Sequence, residues 1–303
     1  MMKVNARVFT VLLLAAVLRP AAAADLNVFA CEPEWASLTR ELAGDHADIS
    51  TATTARQDPH HIQARPSLIA QARRADRVVC TGAELEIGWL PLVLRRAGNP
   101  KIQTGTTGYF AATDFVALLE KPQRLDRAEG DVHAAGNPHI QLDPHNILRV
   151  AQALGPRLAE LDSQHADQYA QRLKDFSQRW QAAMGRWETQ AEPLKGMPIV
   201  VYHRAWTYLN HWLGLDQLAE LEPRPGVPPT SSHLAEVLDK MKAQPARAVI
   251  RAPYQDQRPV QWLHDHTGIA MLELPFTVGG NAQAGDLFGL FDSTVQMLLG
   301  VQP

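Results

Sequence analysis

The run SQHADQYAQRLKDFSQRWQAAMGRWETQ, residues 163–190, decides the fold. Its large apolar residues are Tyr169, Leu173, Phe176, Trp180, Met184 and Trp187, at spacings of 4, 3, 4, 4 and 3. Those spacings trace one face of an α-helix. Leu161 and Asp162 mark a break before the run, and Ser163 has the side chain of an N-cap. At about 1.5 Å per residue the helix is roughly 42 Å long, the span of two lobes. Two tryptophans on one face suit a core better than a coiled-coil seam. The run therefore reads as a rigid backbone helix between lobes.

Both flanks alternate short apolar runs with helical stretches. On the N-terminal side, strands are expected at 26–30, 49–53, 77–80 and 102–104, with helices at 34–42, 66–75 and 88–97. Residues 121–136 are charged and aperiodic and read as a loop, either solvated or a flap that admits a ligand. From Asn146 the pattern is helical. After Gly196 strands are expected at 198–203, 216–221, 247–251 and 270–274, and helices at 205–213, 232–243, 256–266 and 286–299. A Pro-rich loop spans 222–229, and Thr230 or Ser231 caps the helix after it. Such alternation predicts parallel sheets covered by helices. The expected fold class is α/β, with two similar αβ lobes joined by one long backbone helix. The expected divisions are 25–145, 146–195 and 196–303.

Residues 1–24 read as a cleavable signal peptide. Lys3 and Arg7 are its basic start, residues 8–18 an apolar stretch too short to span a bilayer, and Ala21 to Ala24 its cleavage region. No Cys follows for a lipid anchor. Removing this segment takes Lys3, Arg7 and Arg19 and no acid, so the net charge moves from −3 to about −6. That balance excludes nucleic acid as a partner and suits an exported protein that meets cations. Cys31 and Cys80 are the only cysteines. In an oxidising compartment they are expected to form a disulfide, the alternative being two buried thiols. Neither has the spacing of a metal ligand.

Three of the 12 histidines stand in turn contexts. His60 ends Asp58-Pro59-His60, with His61 as its neighbour and competitor. His139 ends Gly136-Asn137-Pro138-His139. His203 closes the strand Val200-Val201-Tyr202. Ligands between lobes sit on loops at the carboxyl ends of strands, and these positions fit. Three imidazoles and one further donor are a Zn²⁺ set. Asp58, Asp143 and Glu222 are candidates to orient the rings, each equally readable as a turn former or cap. His133, in the loop 121–136, is a candidate to help admit the metal.

The chain resembles the zinc-type members of the cluster A-I solute-binding proteins of ABC metal importers. The resemblance runs over nearly all of the expected mature chain. It is carried by Asp58-Pro59-His60, by Gly82, Trp89 and Leu90, by residues 136–144 (GNPHIQLDP), by Val201-Tyr202-His203, and by residues 222–229 (EPRPGVPP). It implies metal held between two lobes by His60, His139 and His203, with His60 rather than His61 as the first ligand. It also implies Zn²⁺, since manganese-type relatives place a carboxylate where His203 stands and nitrogen favours zinc. One position departs. The family has an Asp in the loop before the last helix, where this chain reads Thr277-Val278-Gly279-Gly280-Asn281-Ala282. Asn281 is the best match, with Asp286 or water as alternatives and Glu273 less suited. The family's longer His-rich insertion is absent.

The function so implied is a monomeric periplasmic carrier that captures Zn²⁺ and delivers it to an ABC permease and its ATPase, with a periplasmic metallochaperone as a further partner. Little lobe movement is expected around so stiff a helix. A Mn²⁺ or Fe²⁺ carrier is the variant reading. A zinc hydrolase is the alternative from another class, but no HExxH occurs and no Glu adjoins the three histidines.

Overall fold

A computed structural model describes residues 26–122 and 130–301. The expected signal peptide and residues 123–129 of the 121–136 loop lie outside the described residues. The N-terminal half builds a parallel sheet from β1 (Leu26–Ala30), β2 (Ala47–Thr51), β3 (Arg77–Cys80) and β4 (Tyr109–Ala111), in the order β2-β1-β3-β4. Helices α1 (Pro33–Ala43), α2 (Pro66–Arg74) and α3 (Leu90–Ala97) connect the strands. The C-terminal half repeats the plan. Its strands β5 (Pro198–Val201), β6 (Asp216–Glu220), β7 (Ala248–Arg251) and β8 (Ala270–Glu273) are parallel in the order β6-β5-β7-β8. Helices α6 (Thr207–Leu213), α7 (Ser231–Ala243), α8 (Gln257–Thr267) and α9 (Leu287–Leu299) accompany them. In both sheets the order reverses beside the first strand, which opens a crevice at the carboxyl ends.

Between the halves lie α4 (Pro144–Leu161) and α5 (Ala166–Ala191), the latter 26 residues long. The expected stripe is the buried face of α5, with Tyr169, Phe176, Trp180 and Trp187 fully buried. Trp180 meets Phe288 and Phe291 of α9 edge-on, at 4.9 and 5.3 Å between ring centres, and Trp187 stacks on Phe291 at 5.0 Å. A fully buried side chain of this kind contributes about 2–3 kcal/mol relative to exposure. One hydrophobic cluster takes in Leu26 and Val28 of β1, the α5 stripe, and Ile199 and Val201 of β5. The lobes thus share a core through α5. Close-packed interiors resist deformation, which limits lobe motion.

Two local expectations are corrected. The fourth strand lies at Tyr109–Ala111, not 102–104. Pro100 to Ile102 form a 3₁₀ turn capped by the Asn99 side chain, and buried Ile102 supplied the misleading apolar signal. Ser163 does not cap α5 directly, because a 3₁₀ turn of Ser163 to His165 precedes it. The Asp162 carboxylate holds that turn by accepting from the His165 ring (2.7 Å) and the Tyr169 hydroxyl (2.5 Å). Cys31 and Cys80 form a buried disulfide between the ends of β1 and β3, with Cα atoms 4.8 Å apart.

Candidate metal centre

His60 lies in a turn that follows β2. Asp58 Oδ1 accepts from the His60 backbone N–H (3.0 Å) and from its ring Nδ1 (2.8 Å). Trp89 of the buried core donates its indole N–H to the Pro59 carbonyl at 2.9 Å and pins the turn. An ionised carboxylate only accepts, so Nδ1 carries the hydrogen and Nε2 keeps the free lone pair. Burial works to raise the Asp58 carboxyl, but the His60 hydrogen bonds and the His60 and His61 charges outweigh it and hold it below its ordinary value. His61 points outward, with its side chain 66% exposed.

His139 is fixed by Asn137, whose Oδ1 accepts from the His139 N–H at 3.0 Å. The Asn137 amide nitrogen donates across the seam to the Arg204 carbonyl and the Thr207 hydroxyl, and Tyr208 donates to the Asn137 carbonyl. Among the described residues, His139 Nδ1 is buried without a hydrogen-bond partner. Its ring meets Phe276 at 5.5 Å between centres. His203 stands two residues beyond β5, where Glu222 Oε2 accepts from its Nδ1 at 2.6 Å. Burial works to lower the His203 ring, but the Glu222 hydrogen bond and charge, with Asp58 and Glu220, raise it above its ordinary value.

The three rings converge. Their centres are 5.2 Å apart for His60 and His139, 5.6 Å for His139 and His203, and 5.8 Å for His60 and His203. A fourth imidazole joins them. His133 Nε2 is 3.3 Å from His60 Nε2, and one ring nitrogen each of His60, His133 and His139 lie within 4.8 Å of one another. Burial, then the His60 and His203 charges, push the His133 ring down to about 4. Burial and the same neighbours drive His139 well below its ordinary value. These two rings are therefore neutral at pH 7, the state in which imidazole binds metal. The sequence marked His133 only as part of a flap. Its place in the cluster depends on the path of a loop that has no periodicity.

The residues expected to supply a fourth donor after β8 are engaged elsewhere. Asn281 Oδ1 accepts from the Gln283 and Ala284 N–H groups (3.1 and 2.9 Å), and its Nδ2 donates to Ser293 at 2.8 Å. Its amide closes a turn ahead of α9. Asp286 caps α9 by accepting from Gly289 N–H. Glu273 pairs with Arg251. Asp143 also orients none of the clustered rings, since it caps α4 and accepts from the His145 ring at 3.0 Å.

Behind the histidines, at the carboxyl ends of β1 and β3, stand three buried glutamates the sequence reading missed, Glu32, Glu34 and Glu86. Burial pushes Glu34 and Glu86 up to about 7. The Thr277 hydroxyl donates to Glu34 across the lobe seam, and Glu86 accepts from the Thr81 and Gly82 N–H groups.

Four imidazoles between two αβ lobes, two of them held by carboxylates, prompt comparison with known proteins. A family model described as "ZnuA: Zinc-uptake complex component A periplasmic" matches residues 28–299. The chain belongs to the ZnuA family. It is thereby a metal-binding substrate-binding component of the ABC-transporter class, which works with a permease and an ATPase. The chain is 22% identical over 267 residues to the manganese ABC transporter substrate-binding lipoprotein PsaA of Streptococcus pneumoniae, covering 87% of this chain and 84% of that one. It is 22% identical over 272 residues to the iron ABC transporter substrate-binding lipoprotein MtsA of Streptococcus pyogenes, with the same coverage. A crystal structure of ZnuA superposes with a TM-score of 0.75 at 20% identity, over 91% of this chain and 99% of that one. A manganese-bound periplasmic metal-binding protein from Candidatus Liberibacter asiaticus gives 0.73 at 16% identity, over the same shares. Relatives of this family thus differ in their metal. Among the described residues no helix is long and apolar enough to cross a membrane.

Proposed function

We propose that this protein is a periplasmic Zn²⁺ carrier, that His60, His133, His139 and His203 hold the ion, and that it hands the ion to an ABC permease. One observation carries the choice of metal: among the described residues, the donors grouped here are imidazole nitrogens of His60, His133 and His139, with the His203 ring centre 5.8 and 5.6 Å from those of His60 and His139. Two nitrogens each about 2.05 Å from a tetrahedral zinc lie about 3.3 Å apart, and the His60 and His133 Nε2 atoms are separated by 3.3 Å. Imidazole suits zinc, whereas manganese prefers carboxylate and carbonyl oxygen. Asp58 and Glu222 offset the ion's charge one bond away, through the rings they hold.

The zinc hydrolase reading loses support because a fourth imidazole occupies the position that a catalytic site keeps for water. Asp58 and Glu222 are each committed to a ring nitrogen, so neither is free to act as a general base on water.

The test is titration of the metal-stripped mature protein with Zn²⁺ and Mn²⁺, alongside His60→Ala, His133→Ala, His139→Ala and His203→Ala. One zinc bound tightly, manganese bound at least a hundredfold more weakly, and a loss in all four variants are expected. Equal affinity for the two metals, or zinc binding indifferent to these residues, overturns the reading.

A further inference from the structure

The segment that brings His133 to the cluster is tied to both lobes. On the C-terminal side, Asp131 N–H donates to the Pro225 carbonyl at 2.9 Å. The approach is tight enough to need glycine at position 130, against backbone, while Gly226 faces the Asp131 carboxylate with φ of +74°. A Cβ on Gly130 would lie 2.1 Å from the Pro225 carbonyl oxygen, and one on Gly226 would lie 2.1 Å from Asp131 Oδ2. On the N-terminal side, Ala134 N–H donates to Glu84 Oε2 at 2.8 Å. Residues 130–134 thus cross the mouth of the cleft as a strap. Asp131 forms part of the wall of cavities on either side, of about 500 and 280 Å³.

The N-terminal anchor has an unusual backbone. Ala83 and Glu84 have φ of 46° and 67°, a left-handed conformation that disfavours residues with a Cβ. Such residues persist only where their surroundings hold them. Here the Glu86 carboxylate holds the turn by accepting from the Thr81 and Gly82 N–H groups. The bend places the Glu84 carboxylate where it accepts from the strap's Ala134 N–H.

We infer that Glu84 is a positioning residue that keeps His133 on the bound ion by clasping the strap, and so sets the rate at which the ion leaves. The inference rests on the four-imidazole reading above. Glu84 bonds Ala134 N–H, so it acts through the backbone that carries His133. With the lobes joined by a continuous core, the strap is the short element whose release exposes the ion without moving a lobe. Its bonds to the two lobes differ in kind. The Pro225 contact is backbone to backbone, whereas the Glu84 contact is a side-chain bond that one substitution removes.

The experiment measures zinc release into excess chelator by stopped flow for the wild type, Glu84→Ala, Glu84→Gln, His133→Ala and the Glu84→Ala/His133→Ala double variant. Glu84→Ala is expected to release zinc roughly fivefold faster, the worth of one partly exposed charge-assisted hydrogen bond. Glu84→Gln keeps an acceptor and should recover most of the wild-type rate. The double variant should match His133→Ala alone, because the effect of Glu84 passes through that ring. If Glu84→Ala speeds release equally with and without His133, or releases at the wild-type rate while His133→Ala is faster, the positioning role is overturned. If His133→Ala itself changes nothing, the four-imidazole reading falls, and the clasp falls with it.

Discussion

Glu222→Gln separates what a carboxylate does for a metal-binding ring from what it does for a proton on the same ring. Glu222 Oε2 accepts from His203 Nδ1 at 2.6 Å and from Gly226 N–H at 2.8 Å. Glutamine keeps an oxygen for both donors, so the turn and the ring orientation survive while the charge is lost. A hydrogen bond to a charged group stabilises by about 1–1.5 kcal/mol more than a neutral one, which is close to tenfold in affinity. That lies at the low end of the ten- to hundredfold range for partners of metal-bound histidines. The same carboxylate also strengthens a competing proton. Burial alone would lower the His203 ring, and it is the hydrogen bond and charge of Glu222 that lift it above its ordinary value. At a pH high enough to deprotonate the ring in both proteins, the full tenfold loss of zinc affinity is expected. As pH falls, the wild type must expel from His203 a proton that Glu222 helps hold, and the gap should narrow. Competition with a fluorescent zinc chelator at pH 8 and pH 6 measures both values. A gap that stays constant or widens on acidification refutes the reasoning, as does an unchanged affinity at pH 8.

Two further predictions concern groups near the cluster. Asn281→Asp removes the amide donor to Ser293 and should destabilise the protein by about 1–2 kcal/mol in urea unfolding. Zinc affinity should stay within about twofold, and a tenfold gain would return Asn281 to the ligand set. Glu34 is raised to about 7 by burial, so the folded metal-free protein holds a proton that the unfolded chain releases above about 4.5. The stability this contributes is complete at low pH and is lost as pH rises through 7. Glu34→Gln keeps an acceptor for the Thr277 hydroxyl and should stabilise the metal-free protein by on the order of 2 kcal/mol at pH 8, with little gain at pH 5. Equal effects at the two pH values in denaturant titration contradict this. The depressed His133 and His139 rings act in the opposite sense, costing stability as pH falls below about 6.5.

What the sequence showed depended on how local its cause was. The α5 face was legible because helical periodicity imposes a repeat on neighbouring residues, and five of the six expected residues are buried there, with Leu173 partly so. The Asp58-Pro59-His60 and Gly136-Asn137-Pro138-His139 turns were legible because Asp58 and Asn137 hydrogen-bond the backbone two residues on. Asn281 follows the same physics. Its side chain also makes a local turn, closing on Gln283 and Ala284, and local turn chemistry is indistinguishable in sequence from a side chain that reaches into a cleft. Asp143 was likewise a cap rather than a partner for a clustered ring. His133 and the buried glutamates were hidden for another reason. The strap that carries His133 is tied to Glu84, 50 positions away, and Glu34 to Thr277, 243 positions away, and no short window contains either pair.

The proposed exchange of a carboxylate for an imidazole has a consequence for how such a site discriminates. A site of three imidazoles and one carboxylate gives a divalent ion one negative ligand, which any hard cation also welcomes. In the proposed site all four donors are neutral, and the compensating charges sit behind His60 and His203 on Asp58 and Glu222. A cation is then held only so far as it accepts nitrogen lone pairs, and in that respect zinc stands well above manganese. The cost is a weaker electrostatic hold, since charge one bond removed attracts less than charge in contact. A strap clasped to both lobes compensates in kinetics for what the site gives up in charge. The fourth imidazole and the clasp at Glu84 are for this reason one device, and losing either should make the carrier both faster to release zinc and less able to exclude other ions.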